Sequence, residues 1–253
     1  MGGDLTVDEL ISTLNHSNSP TLILEGKDDY IAFEHFEREN VEWGLTVLPV
    51  KGRDKILQIL NRREELENEC IFFIMDQDEW CLTGVPHYLI DDQIAFTFGA
   101  SIENDLISDG NPMSLMTPEE LDKFWGLIAD FASIFRRLVY NHENAVADYS
   151  YGTSMRIFCD EELTKLPEWD AFAARCPNMV PQPIDKETID YIRGKTLLEI
   201  VTMILSHKNR VSKYSKANVL EIGARRRGER LVSLEANVIE YFAASGCMGQ
   251  VAD

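Results

Sequence analysis

The sequence has no apolar run approaching the roughly 20 residues that a membrane-spanning helix needs. Its first residues, Met1-Gly2-Gly3-Asp4-Leu5-Thr6, lack the basic and apolar regions of a secretory signal. The cysteines at 70, 81, 159, 176 and 247 include no CxxC pair and leave one over. That spacing indicates neither a disulfide framework nor a structural zinc site. The histidines at 16, 35, 87, 142 and 207 show no metal-ligand spacing, and HExxH is missing. Gly26-Lys27 and Gly194-Lys195-Thr196 both lack the upstream glycine of a P-loop. G-x-S-x-G, the serine-hydrolase signature, is missing as well. The expectation is a chain without a membrane span, in a reducing cytoplasm, whose chemistry uses no zinc, P-loop or nucleophilic serine.

What is present is ordinary in bulk and uneven in detail. A 253-residue chain with 45% hydrophobic and 26% charged residues suits a globular protein with one large core or two modest ones. The net charge of −19 argues at first against a nucleic-acid partner. Between His207 and Arg230, however, Lys208, Arg210, Lys213, Lys216, Arg225, Arg226, Arg227 and Arg230 face only Glu221 and Glu229. This segment carries +6 while the rest of the chain carries −25. It is a candidate nucleic-acid-binding face; a solvated surface or a protein contact accounts for it equally well.

The first half reads as alternating strands and helices. Thr6-Val7-Asp8-Glu9 has the form of a capping box and opens a helix to about residue 16. Apolar runs at 21–24, 45–50, 71–76 and 94–98 suit strands, with helices at 28–38 and from Gly52. That order predicts an α/β domain with a mainly parallel sheet flanked by helices. From Ser101 onward helical patterns dominate. Thr117-Pro118-Glu119-Glu120 starts a helix reaching about residue 140, with an apolar stripe of Leu127, Ile128, Phe131, Ile134, Phe135 and Leu138. Further helices are predicted at 161–166, 169–176, 186–192, 196–206, 217–222 and 233–244. The change near Gly110-Asn111-Pro112 divides the chain into 1–112, catalytic, and 113–253, helical.

Two of the strands stop at carboxylates. Thr21-Leu22-Ile23-Leu24 runs into Glu25-Gly26, and Ile71-Phe72-Phe73-Ile74-Met75 runs into Asp76-Gln77-Asp78. In open α/β sheets the chemistry lies just beyond the carboxyl ends of the strands. Side chains at i and i+2 of a strand share a face, so Asp76 and Asp78 are expected to point together. If these strands are neighbours, three acids converge, and a hard divalent cation such as Mg²⁺ or Mn²⁺ offsets their charge. A haloacid-dehalogenase-type phosphatase also uses Asp-x-Asp, but on its first strand and with Thr or Val where this chain has Trp80.

Strand-Glu25-Gly26, the middle strand leading to Val50-Lys51-Gly52, and strand-Asp76-x-Asp78 resemble the Toprim domain in order and rough spacing. The resemblance covers about residues 20–110. Leu24-Glu25-Gly26-Lys27-Asp28-Asp29, Ser101-Ile102-Glu103-Asn104 and Gly194-Lys195-Thr196-Leu197-Leu198 are similar, more loosely, to a Toprim/OLD-like bacterial family. That family includes AriB, the effector of the PARIS anti-phage system. The resemblance implies Glu25 as catalytic acid, Asp76 and Asp78 as metal-binding aspartates, Glu103 as a further ligand or its support, and Lys51 near the scissile phosphate. It further implies a nuclease that cleaves cellular tRNA and is held inactive by an ABC-type, OLD-like ATPase partner. A homodimer would set two such sites on one RNA. A topoisomerase- or primase-like enzyme and a non-catalytic interaction module are the alternatives.

Overall fold

In the computed structural model, which describes residues 5–143 and 186–248, the strands form where the apolar runs were read. The expected capping box opens α1 (Val7–Asn15): Glu9 N–H donates to Thr6 Oγ1 at 3.2 Å, and Thr6 N–H donates to Glu9 Oε2 at 2.7 Å. The chain continues through β1 (Thr21–Leu24), α2 (Lys27–Glu39), β2 (Thr46–Pro49), α3 (Arg53–Asn61), β3 (Ile71–Met75), α4 (Trp80–Thr83), β4 (Ile94–Phe96) and α5 (Ile102–Gly110). Then follow α6 (Pro118–Glu143), a 3₁₀ segment (Lys186–Tyr191), α7 (Gly194–Leu205), α8 (Lys216–Arg226) and α9 (Glu229–Ala244). The helices expected at 161–166 and 169–176 lie outside the described residues. No helix among the described residues is long and apolar enough to cross a membrane.

The four strands form one parallel sheet in the order β2-β1-β3-β4. Leu24 lies opposite Pro49 on one side and Ile74 on the other. The period-two alternation of the strands splits the apolar residues between two faces. Leu22, Leu24, Phe72 and Ile74 pack with Phe33 and Phe36 of α2, and with Leu106, Val219, Leu220 and Phe242 of α5, α8 and α9. Ile23, Ile71, Phe73 and Met75 pack on the opposite face with Leu10 and Leu14 of α1 and Ile56 and Ile59 of α3. β1 and β3 are therefore covered on both faces, which explains their unbroken apolar sequence.

The boundary drawn near residue 112 is crossed by one continuous core. Residues of α6, α7, α8 and α9 share it with the sheet and α2. Of the predicted α6 stripe, Ile128 and Phe131 are buried in this core together with Phe124, and Leu127 packs against it. The side chains of Ile134, Phe135 and Leu138 lie outside the described set. Gly223 of α8 sits so close to α5 that a Cβ there would lie 2.2 Å from the Leu106 carbonyl oxygen.

The reading of the cysteines needs correction. Cys70, just ahead of β3, is disulfide-bonded to Cys247, just past α9, with the Cα atoms 5.7 Å apart. The residues are 177 positions apart, and only the packing of α9 beside Phe72 brings them together. With this bond in place, cysteine usage no longer argues for a reducing compartment.

Candidate active site at the strand ends

The chain leaves β1 for one edge of the sheet and reaches β3 on the other side, so the ends of β1 and β3 flank the topological switch point. Glu25 follows β1 and Asp76 follows β3. Asp76 N–H donates to Glu25 Oε1 at 3.0 Å. Gly52 N–H donates to the Glu25 carbonyl at 2.7 Å, fixing the turn after β2 at the same point. Ile102 N–H, at the start of α5, donates to Asp76 Oδ1 at 2.9 Å, so this carboxylate faces the positive end of a helix. Glu103, the next residue of α5, is buried and accepts from Ser101 Oγ. Asp29, in the first turn of α2, is buried too and accepts from Gly26 N–H at 2.9 Å. Glu25, Asp29, Asp76 and Glu103 line one cleft of about 400 Å³, with Lys27, Lys51 and Lys195 at its rim.

Asp78 lies differently from the expectation. β3 ends at Met75, and Asp78 sits in a turn with φ +47°, so strand alternation no longer sets its direction. Its side chain, 45% exposed, is taken by Arg53, with Nη2 to Oδ2 at 2.8 Å. Arg53 also reaches Glu25 Oε1 (Nε, 3.5 Å), the Asp76 carbonyl (Nη2, 2.7 Å) and Glu79 Oε2 (Nη1, 3.6 Å). Its guanidinium lies 4.2 Å from the centre of the Trp80 ring. The structure thus brings Glu25 and Asp76 together directly and ties Asp78 to them through an arginine.

The helical half closes the site. Ala100 N–H donates to the Asp190 carbonyl at 2.7 Å, and Asn104 Nδ2 donates to the carbonyls of Ile189 (2.6 Å) and Ile192 (2.8 Å). Gly194 then meets Ser101 so closely that a Cβ would lie 1.9 Å from its Oγ. This docking carries Lys195 to the rim of the cleft and Arg193 within electrostatic reach of Asp78 and Glu103. Arg193 Nη1 is buried with no hydrogen-bond partner among the described residues.

So many acids in a confined space resist ionisation. Burial, with Asp78 and Asp29 adding to it against the pull of Arg53, pushes Glu25 up to about 7. Burial, then Glu103 nearby, pushes Asp29 up to about 6. Asp76 stands well above the usual range through burial and the carboxylates of Asp29, Glu25, Glu103 and Asp78. A raised carboxyl in the folded state binds protons that the unfolded chain has already released. Stability is therefore greatest below pH 4.5 for the Glu25 contribution and is lost as pH rises to about 7. For Glu25 alone this is on the order of 3 kcal/mol. Urea unfolding of the ion-free protein between those pH values checks it; stability that rises across the window contradicts it.

The donor set suits a hard cation, since every candidate ligand is a carboxylate oxygen. No three His, Cys, Asp or Glu side chains among the described residues converge closely enough, as placed, to hold an ion together. Mg²⁺ commonly keeps several waters and takes only one or two protein carboxylates. Glu25 and Asp76 meet that need, with Glu103 and Asp29 beside them.

The basic segment is largely spoken for. Arg210 pairs with Glu120, Lys216 with Glu199 and Arg225 with Glu221. Arg226 donates to the Gly110 carbonyl, and Arg227 bridges Glu39 and Glu235. Arg230 is held by Asp105 and Asp190. Lys208 and Lys213 lie exposed in the loop between α7 and α8. Sequence reasoning overlooked Arg53 and took Asp29 only as a helix-start acid. Neither a scan against models of protein families nor a search of curated proteins returns a match to this chain.

Proposed function

We propose that the chain is a metal-dependent phosphodiesterase that cleaves nucleic acid, RNA foremost, in the cleft between β1 and β3. The observation that carries this reading is the contact between Glu25 and Asp76. They lie 51 residues apart in sequence and meet at the switch point of a parallel sheet, in a cleft shared with two further buried acids. Glu25 and Asp76, supported by Glu103, would hold Mg²⁺ or Mn²⁺. Such an ion polarises a phosphate oxygen and lowers the pKa of a bound water.

The remaining roles belong to the protein. Glu25, oriented by its 3.0 Å bond from Asp76 N–H, would either hold that ion or, standing beside it, serve as the general base. Asp76 is fixed by the first N–H of α5, so its direction does not depend on substrate. Lys51 and Lys195 stand at the rim, where a polyanion's phosphates would come within reach. Lys208 and Lys213, exposed in their loop, and Lys216 and Arg225, held only by surface ion pairs, would contact backbone phosphates. The resemblance supplies the biological part of the proposal: tRNA as substrate, an ABC-type ATPase partner that restrains the enzyme, and a homodimer as the active form.

Glu25→Gln keeps the size of the side chain and its bond from Asp76 N–H. Cleavage of RNA by this variant is expected to fall by about 10²–10⁴-fold or more, with the unfolding midpoint not lowered. Sequencing of RNA 3′ ends after brief expression, with tRNA and DNA as parallel substrates, reads the effect. Undiminished cleavage by the variant removes the proposal.

A further inference from the structure

The geometry points to Arg53 as an exchangeable counter-cation: it holds Glu25 and Asp78 in the ion-free protein and competes with a divalent ion for them. This rests on the metal-dependent reading above. Arg53 is the first residue of α3, directly after Gly52, whose φ is +125°. A cation at a helix N-terminus opposes the macrodipole, so this placement is held by what the side chain meets. It meets carboxylates on three sides. Nη2 donates to both Asp78 Oδ2 (2.8 Å) and the Asp76 carbonyl (2.7 Å), Nε lies 3.5 Å from Glu25 Oε1, and Nη1 lies 3.6 Å from Glu79 Oε2. The guanidinium is therefore the cation that Glu25 and Asp78 share, next to the cleft in which Glu25 and Asp76 would hold an ion.

A divalent ion and a guanidinium cannot share Glu25 and Asp78 without strong repulsion in so sheltered a place. The structure also provides a second perch. Glu79 (Nη1 to Oε2, 3.6 Å) and the face of Trp80 (4.2 Å) are already in contact with Arg53. Entry of the ion would release Glu25 and Asp78, and Arg53 would stay on Glu79 and Trp80. Arg53 is in this sense a positioning residue. It sets ion affinity and the moment at which Asp78 becomes available.

The test is calorimetric titration with Mn²⁺ alone at one mildly alkaline pH, on the full chain. Arg53→Gln is expected to bind Mn²⁺ at least about tenfold more tightly than the unchanged protein. Arg53→Lys, which keeps the charge, is expected to stay near the original affinity. Trp80 gives a second readout: Mn²⁺ should change its fluorescence in the unchanged protein, by difference from Trp80→Phe, and leave it unchanged in Arg53→Gln. If Arg53 were only a brace, its removal would weaken binding, so equal or weaker affinity in Arg53→Gln overturns the inference. Tightening of Arg53→Lys to the same degree overturns it too. If the unchanged protein shows no Mn²⁺ uptake that Asp76→Asn removes, the metal reading itself fails.

Discussion

Asp76→Asn is expected to abolish site-specific Mn²⁺ uptake and nucleic-acid cleavage while making the ion-free protein more stable. The two effects have one origin. Asp76 is pushed well above the carboxylate range by burial and by Asp29, Glu25, Glu103 and Asp78 around it. Asparagine keeps an oxygen for the Ile102 N–H bond at Asp76 Oδ1 and removes the charge that its neighbours oppose. The relief is read as a rise in melting temperature. Thermal unfolding with chelator present, beside calorimetry with Mn²⁺, separates stability from uptake. Persistent uptake in the variant, or a lowered melting temperature, contradicts the argument. A gain in stability on removing a proposed ligand is the pattern of a site in which ionic crowding is retained for function.

Arg230→Met is expected to destabilise the protein by about 3–5 kcal/mol, because it strands a buried charge. Arg230 lies at the start of α9 and donates to Asp105 Oδ1 at 3.1 Å and to Asp190 at 2.6 and 2.8 Å. Asp105 has no exposed surface; burial pushes it up to about 6 even though Phe98 N–H, Gly99 N–H and Arg230 hold its charged form. Without the arginine, Asp105 faces only two backbone donors, and Asp190 loses the partner that ties the 3₁₀ segment to α9. The midpoint of urea unfolding measures the cost. The salt dependence of nucleic-acid binding is a separate measurement with an opposite expectation. Charge removal at Lys208 or Lys213 lowers the slope, whereas Arg230→Met leaves it where it was. A slope that drops with Arg230 and an unfolding midpoint that does not move would restore this arginine to the binding face.

What was legible in the sequence follows from range. Apolar runs are local, and those at 21–24 and 71–75 stop at acids within the same stretch, so Glu25 and Asp76 were visible as strand-end residues. The parallel sheet followed from the alternation of such runs with helical ones. Asp78 was misplaced because alternation holds only while the strand lasts, and β3 stops one residue before Asp76. Asp29 was seen as a helix-start acid, and it does accept from Gly26 N–H; its second position, lining the cleft, depends on tertiary packing. Arg53 did leave a signal, an arginine opening a helix against the dipole, but only its distant partners give it meaning. The partners of Arg227 and Arg230 include Glu39, Asp105 and Asp190, all remote in sequence, so a local charge sum could not separate internal pairing from a free basic face. Cys70 and Cys247 likewise have no shared local pattern.

The docking of Gly194 against Ser101 has a consequence for biosynthesis. Every acid of the cleft lies before residue 104, but the wall bearing Arg193 and Lys195 leaves the ribosome some ninety residues later. Asn104 Nδ2 waits for the carbonyls of Ile189 and Ile192, and the contact surface left at Ser101 admits no side chain. A nascent or truncated polypeptide can therefore display the full set of carboxylates and still have an open, unfinished pocket. If the proposed nuclease activity is present, the order of translation delays the completion of its site.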